Sequence, residues 1–370
     1  MASSPKSVQA RLAEQVAGHR LESDPAQTDA AIRLDRLSAG LLESSQSCGE
    51  RLRAHLRWLP PGARVAQRGL YFWGGVGRGK TMLMDWFYES LRFSRRERSH
   101  FYRFMRQVHA ELRRVKRRTQ PLDAVAQRLA QQTRVICLDE FFVADIADAM
   151  LLAGLFEALF RRGVTLVATS NTALEDLYKD GLQRERFLPA IELIRRHVDV
   201  VRLDGGIDYR LRQLQQAPTY LESADGHTPL RLKQRFAALA GDSAAGPSVL
   251  SIEERDMAAV ATGAGMVWFE FRDLCEGPRS QNDYIELARM YHAIFIANIP
   301  QFTTADEDAA RRFIAAIDEF YDRGVKIVVS AAAPPTTLYQ GERLQLEFQR
   351  AASRLIEMQT QQYLARQHRP

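Results

Sequence analysis

Residues 74–81 read Gly74-Gly75-Val76-Gly77-Arg78-Gly79-Lys80-Thr81, a full G-x-x-x-x-G-K-[ST] string. Its neighbours decide how it is read. Gly69-Leu70-Tyr71-Phe72-Trp73 is a short apolar run suited to a buried strand, and Met82-Leu83-Met84-Asp85-Trp86-Phe87-Tyr88 opens a helix. Strand, glycine-rich turn and helix in that order make a phosphate-binding loop. The glycines let backbone N–H groups turn inward, and the helix N-terminus adds its partial positive charge. In that frame Gly74, Gly75, Val76, Gly77, Arg78 and Gly79 cradle phosphate, Lys80 reaches the β- and γ-phosphates, and Thr81 ligates Mg²⁺. A plain glycine turn with a solvated lysine would leave the flanking strand and helix unexplained. The expected fold is α/β, a parallel sheet flanked by helices, holding a nucleoside triphosphate and Mg²⁺. No Asn-Lys-x-Asp base-reading string occurs, which weakly favours ATP over GTP.

A second string supplies the other half of such a site. Arg134-Val135-Ile136-Cys137-Leu138-Asp139-Glu140 is an apolar strand ending in two carboxylates, and strands apolar on both faces belong to parallel sheets. Asp139 is the candidate support for the metal, and Glu140 the candidate that orients or activates an attacking water. The competing reading is that the pair only caps a helix beginning near Asp145. A third apolar run, Val164 to Ala168, leads into Thr169-Ser170-Asn171. Strand ends gather at one edge of a parallel sheet, so Asn171 is a candidate to touch the γ-phosphate or the water. The alternative is an ordinary turn and helix cap.

The chain has 370 residues, 46% hydrophobic and 26% charged, ordinary for a soluble globular protein with room for more than one core. Three cysteines (Cys48, Cys137 and Cys275), one of them inside an apolar strand, suggest no disulfide framework and fit a reducing compartment. No apolar run approaches the ~20 residues that span a bilayer, and the first residues lack a signal-peptide stretch. A cytoplasmic protein is expected. The net charge is +6, with basic runs at Arg92, Arg95, Arg96 and Arg98 and at Arg113, Arg114, Lys116, Arg117 and Arg118. These are either solvated helix faces or tracks for nucleic-acid phosphates or anionic lipid heads.

Four regions are expected: an N-terminal helical region (1–60) closed by Pro60-Pro61-Gly62, an ATPase core (61–214), an insertion or linker (215–248) and a smaller C-terminal α/β region (249–370). Leu34, Leu37, Leu41 and Leu42 form a helical stripe in the first. Within the core, a strand is expected around His100-Phe101-Tyr102-Arg103-Phe104-Met105 and a last one at Val198 to Leu203. Shifted by 161 positions, Leu138–Tyr178 falls on Ile299–Tyr339 without a gap, with Arg162-Gly163-Val164 on Arg323-Gly324-Val325. Asp139 and Glu140 become Pro300 and Gln301, and Asn171 becomes Ala332. Duplication and chance matching of two strand-helix-strand units both explain this; either way one active site per chain is expected.

Taken together, Gly69 to Asp85, Cys137-Leu-Asp-Glu-Phe-Phe-Val-Ala-Asp-Ile-Ala-Asp-Ala-Met150, Thr169-Ser170-Asn171, Phe271-Arg-Asp-Leu-Cys-Glu-Gly-Pro-Arg-Ser280 with Asp283-Tyr284, and Ser353 to Met358 resemble the AFG-like AAA+ ATPases. The likeness spans about residues 20–365 and departs at Phe142, where the family is expected to carry glutamine. The resemblance implies an oligomeric ATP hydrolase that remodels a protein partner, with an arginine of one subunit completing the site of the next. The matching Gly181–Pro189 segment makes Arg184 the candidate finger, with Arg186 second, and Arg354 is a candidate nucleotide sensor. It further implies a role in cell division with the tubulin-like protein FtsZ as partner, at the septum or the inner face of the membrane, with possible peripheral membrane association. The alternative is a helicase-loader-like AAA+ protein acting on single-stranded DNA.

Overall fold

The computed structural model describes residues 6–369 apart from 19–20, 47–65, 76, 116–118, 144, 204–213, 215–216, 223–227, 242–243, 254 and 264. The expected boundary at Pro60-Pro61-Gly62, Cys48, Val76 and the second basic run from Lys116 to Arg118 lie outside the described residues. The chain divides into two compact units, Met1–Gly206 and Ile207–Pro370.

The first unit begins with helices α1 (Val8–Ala17) and α2 (Pro25–Gln46). Then come β1 (Gly69–Trp73), α3 (Lys80–Ser90), β2 (Arg96–His100), α4 (Phe101–Arg114), α5 (Pro121–Gln132) and β3 (Val135–Asp139). It ends with α6 (Ile146–Arg161), β4 (Thr165–Ser170), α7 (Leu188–His197) and β5 (Val198–Arg202). The five strands form one parallel sheet in the order β2-β3-β4-β1-β5. Successive side chains of a strand point to opposite faces, and here each face has its own core. Leu70, Phe72, Val135, Cys137 and Val167 pack with Leu34, Leu37 and Leu41 of α2 and with Leu83 and Phe87 of α3. Tyr71, Ile136, Leu138, Leu166 and Ala168 pack with α4, α5, α6 and α7 on the other side. Burial on both faces is why the three central strands β1, β3 and β4 are predominantly apolar, whereas the edge strands β2 and β5 carry charged residues.

The strand expected at His100–Met105 is instead the end of β2 and the first turn of α4. Phe101, Phe104, Met105 and Val108 recur at helical spacing and are all buried in one stripe, and that period outweighs the aromatic β-propensity. The first basic run is not a free cationic face either. The Arg95 guanidinium donates to the Ala130 carbonyl, and that of Arg96 to the carbonyls of Tyr88 and Leu91.

The second unit holds β6 (Tyr220–Glu222), α8 (Thr228–Ala240), the hairpin β7 (Ser248–Ile252) and β8 (Arg255–Ala259), β9 (Ala261–Gly263) and β10 (Met266–Glu270). The rest is α9 (Phe271–Cys275), α10 (Gln281–Met290), β11 (Ala293–Ile299), α11 (Glu307–Asp322), β12 (Lys326–Ala331), α12 (Gln345–Glu357) and α13 (Gln361–Leu364). Its main sheet runs β6-β12-β11-β10-β9, parallel except for β9. The stretch read as an insertion or linker therefore supplies this unit with an edge strand and a covering helix. Leu221, Leu232 and Phe236 bury against Trp268, Phe295 and Val328.

The 161-residue shift holds to the residue for α6 on α11 and for β4 on β12, and the left-handed turns Gly163 (φ 77°) and Gly324 (φ 67°) coincide. Pairing of the preceding strands differs. Val135 lies opposite Thr165, whereas its counterpart Ile296 lies opposite Val329 rather than Lys326.

Candidate active site

The order β3-β4-β1 puts the C-terminal ends of three neighbouring strands at one edge of the first sheet, where parallel sheets hold ligands. β1 runs into the glycine loop and α3 leaves it. Gly79 caps α3 at φ 79°, and Gly74 takes φ 147°, where a Cβ would lie 2.2 Å from the Leu203 carbonyl oxygen. A side chain at Gly74 could not be accommodated without moving backbone. Gln27 of α2 supports the loop from outside, its Nε2 donating to the Arg78 carbonyl at 3.2 Å.

Lys80 is buried. Its Nζ donates to the carbonyls of Gly74 (2.8 Å) and Gly75 (2.6 Å) and to Asn171 Oδ1 at the end of β4 (3.0 Å). The Thr81 hydroxyl donates to Asp139 Oδ1 at 3.0 Å. That same oxygen accepts from the Thr169 hydroxyl and from the Glu140 N–H at 3.2 Å. Glu140 adopts φ 52°, unusual for a residue with a side chain; such strain persists only where surrounding structure enforces it, and it clusters at functional sites. Here the enforcement comes from the Glu140 N–H shared with Thr169 Oγ1 (3.3 Å) and the Phe141 N–H held by the Thr169 carbonyl (2.7 Å).

Asp139 is 2% exposed. Burial alone would raise its pKa, but the Arg98 guanidinium, His100 and the hydroxyls of Thr169 and Thr81 outweigh burial and hold it below the usual carboxylate value. Asp85, one turn beyond Thr81 on α3, goes the other way. Burial pushes it up to about 6, Arg98 pulls back, and the Asp139 charge adds to the rise.

The structure thus brings together Lys80, Thr81, Asp139, Glu140 and Asn171. It does not bring Arg184 to them. That residue lies in a short 3₁₀ turn, Arg184–Arg186, half-buried, its Nη2 donating to the Glu175 carbonyl at 2.5 Å, while Arg186 is exposed. Arg354, the candidate sensor, is held in the second unit. It pairs with Asp318 (2.6 Å) and Asp322 (3.4 Å) and stacks over Tyr321, so its guanidinium is already engaged there. Asp85, Arg98 and Thr169 were not singled out for the site by sequence. The signal for Asp85 is its i,i+4 spacing from Thr81, which puts both on one helix face.

The donor set fits a magnesium nucleoside triphosphate. A hydroxyl and an ionised carboxylate are the hard oxygen donors Mg²⁺ takes. The loop glycines and the start of α3 present N–H groups to an anion, and the Lys80 cation rests on neutral oxygens that a phosphate outcompetes electrostatically.

A parallel sheet with a glycine loop after β1, paired carboxylates after β3 and a polar residue after β4 defines a P-loop ATPase of the AAA+ type. A sequence model of the AFG1-like ATPase family matches residues 6–367, and the chain belongs to that family. It is accordingly an ATPase that binds ATP with Mg²⁺. Among its relatives, Cell division protein ZapE of Escherichia coli strain K12 is 46% identical over 356 residues, covering 94% of each chain. Lactation elevated protein 1 homolog B of Danio rerio is 38% identical over 342 residues, 80% of this chain and 68% of the relative. Among solved structures, that of DnaI is 16% identical with a TM-score of 0.34, covering 49% of this chain and 87% of that one.

Proposed function

We propose that this ATPase couples turnover to the remodelling of a protein partner during cell division, with FtsZ as that partner. The observation that carries the enzymatic part is the convergence of the Lys80–Asn171 and Thr81–Asp139 contacts at the ends of β1, β3 and β4. Lys80 and the loop hold the phosphates. Thr81 and Asp139 hold the metal, which neutralises phosphate charge when bound. Glu140 orients the attacking water and takes its proton, and Asn171, through Lys80, registers the γ-phosphate. Arg184, with Arg186 as second candidate, completes the site of a neighbouring copy in a homo-oligomer. Arg186 is free to reach outward as it stands, whereas Arg184 must first leave the Glu175 carbonyl.

The division role rests on the likeness to a relative named for it, and FtsZ on the family resemblance read from the sequence. Action at the septum or the inner membrane face follows from that partner. Among the described residues no helix is long and apolar enough to cross a membrane. The loader reading has lost one support, since Arg95, Arg96 and Arg98 are engaged within the chain.

Purified FtsZ, single-stranded DNA and anionic vesicles, added separately, test the reading. FtsZ is expected to raise ATP turnover and DNA to leave it unchanged. Stimulation by DNA alone, weakening steeply with salt, would replace the remodelling account with the loader. Lys80→Ala should abolish nucleotide binding, and Glu140→Gln should bind ATP yet turn it over at a small fraction of the wild-type rate.

A further inference from the structure

The Asp139 carboxylate is gripped at both oxygens, and only one grip belongs to the expected nucleotide machinery. Oδ1 accepts from Thr81, Thr169 and the Glu140 N–H. Oδ2 accepts from Arg98 Nη2 at 3.2 Å. The same guanidinium, through Nε, pairs with Asp85 of α3. A closed ring results. Thr81 and Asp85 leave α3 one turn apart, Thr81 meets Asp139 directly, and Asp85 meets it through Arg98. The register explains how Arg98 arrives there. In the parallel β2–β3 pair it lies opposite Cys137, two residues before Asp139 and on the same face, the face that α3 covers.

We propose that Arg98 is a positioning residue for the ATPase reaction: braced by Asp85, it fixes the direction in which Asp139 presents its carboxylate to Thr81 and Mg²⁺. A carboxylate held at one oxygen can swing about its terminal torsion; held at both it cannot. The three groups carry one net negative charge between them, which a divalent cation reverses without displacing Arg98. Without the guanidinium, two carboxylates would face each other across the site and repel. Outer partners that orient metal ligands govern metal affinity in this way. The competing account is architectural: Arg98 merely neutralises Asp85 and ties β2 to α3.

The inference rests on the reading of Asp139 as the metal-side carboxylate. Its test is the affinity of the full chain for a fluorescent ATP analogue, measured with Mg²⁺ and with EDTA. Arg98→Gln is expected to weaken the Mg²⁺-dependent affinity by about tenfold or more and to leave the metal-free affinity, set by the loop and Lys80, unchanged. Arg98→Lys should retain part of the Mg²⁺ effect. Asp85→Asn combined with Arg98→Gln restores charge balance but not the grip on Oδ2, so it should stay as weak as Arg98→Gln alone. If Arg98→Gln fails to fold, the double variant decides by the same two affinities. Equal losses with and without Mg²⁺, no loss at all, or recovery in the double variant would overturn the proposal. A wild type that binds no tighter with Mg²⁺ than with EDTA would overturn the metal-site reading itself, a result visible before any variant is made.

Discussion

At the scale of single residues, the site is a set of polar groups held by neighbours from other strands. Glu140 keeps its left-handed backbone because Thr169, one strand away, binds both the Glu140 and the Phe141 N–H groups. Thr169 also donates its hydroxyl to Asp139. Thr169→Val keeps the shape and removes that hydroxyl. It is expected to lower turnover about tenfold, within the range typical for loss of an orienting contact, while CD spectra stay unchanged. The cysteines give a second residue-scale expectation. Burial pushes the thiols of Cys137 and Cys275 up to about 12, and thiols so protonated and enclosed are inert. In a Cys48→Ser variant, a thiol reagent at pH 8 should label neither until the chain is unfolded, and both afterwards.

What could be read from the sequence at this scale was whatever sat in contiguous strings. Lys80, Thr81, Asp139, Glu140 and Asn171 each follow an apolar run that declares a strand, so their convergence follows from parallel-sheet geometry. Arg98 declares nothing locally. It stands in a charged segment resembling a solvated face, and its partners lie 13 and 41 residues away in sequence. Only the β2–β3 register brings it to Asp139.

Elements tell a similar story. The P-loop strand and the acidic strand were legible because they are short, apolar and bounded by turn residues. The strand expected at His100–Met105 gives way to the start of α4; aromatic residues favour strands when considered one at a time. The buried stripe from Phe101 to Val108 shows the helical period prevailing. The 215–248 stretch looked like a linker because it is small and polar at its ends, yet Leu221, Leu232 and Phe236 suffice to seat it on the second sheet. Strand β1 carries the sharpest element-scale constraint. A Cβ at Gly69 would lie 1.7 Å from the Leu166 carbonyl oxygen of β4, so backbone must move for any larger residue. Gly69→Ala should cost about 1–3 kcal/mol, read as a lowered midpoint in chemical denaturation. A midpoint matching wild type would mean that the two strands tolerate separation at the start of β1.

At the scale of the whole molecule, the candidate nucleotide-binding residues Lys80, Thr81, Asp139, Glu140 and Asn171 all lie in the first unit. The second unit repeats the α6–β4 geometry in α11–β12 to the residue, but with Pro300, Gln301 and Ala332 at the counterparts of Asp139, Glu140 and Asn171. The matching element bounds therefore come without the polar residues of the first unit, whether by duplication or by chance matching of two strand-helix-strand units. Among the described residues neither Arg184 nor Arg186 is brought to Lys80, Thr81 and Asp139. Exposed Arg186, and Arg184 once released from the Glu175 carbonyl, lie beside exposed Leu182 and Leu188, the surface on which the proposed contact with a second copy rests.

The central claim, ATP hydrolysis at a site completed by a second subunit, is tested most directly by turnover per subunit as protein concentration is raised, with Lys80→Ala as the blank. Turnover is expected to climb cooperatively. Arg184→Ala or Arg186→Ala should flatten the climb, by as much as the ~10³–10⁵ that such a residue contributes elsewhere. Turnover that is constant with concentration and indifferent to both arginines would contradict it.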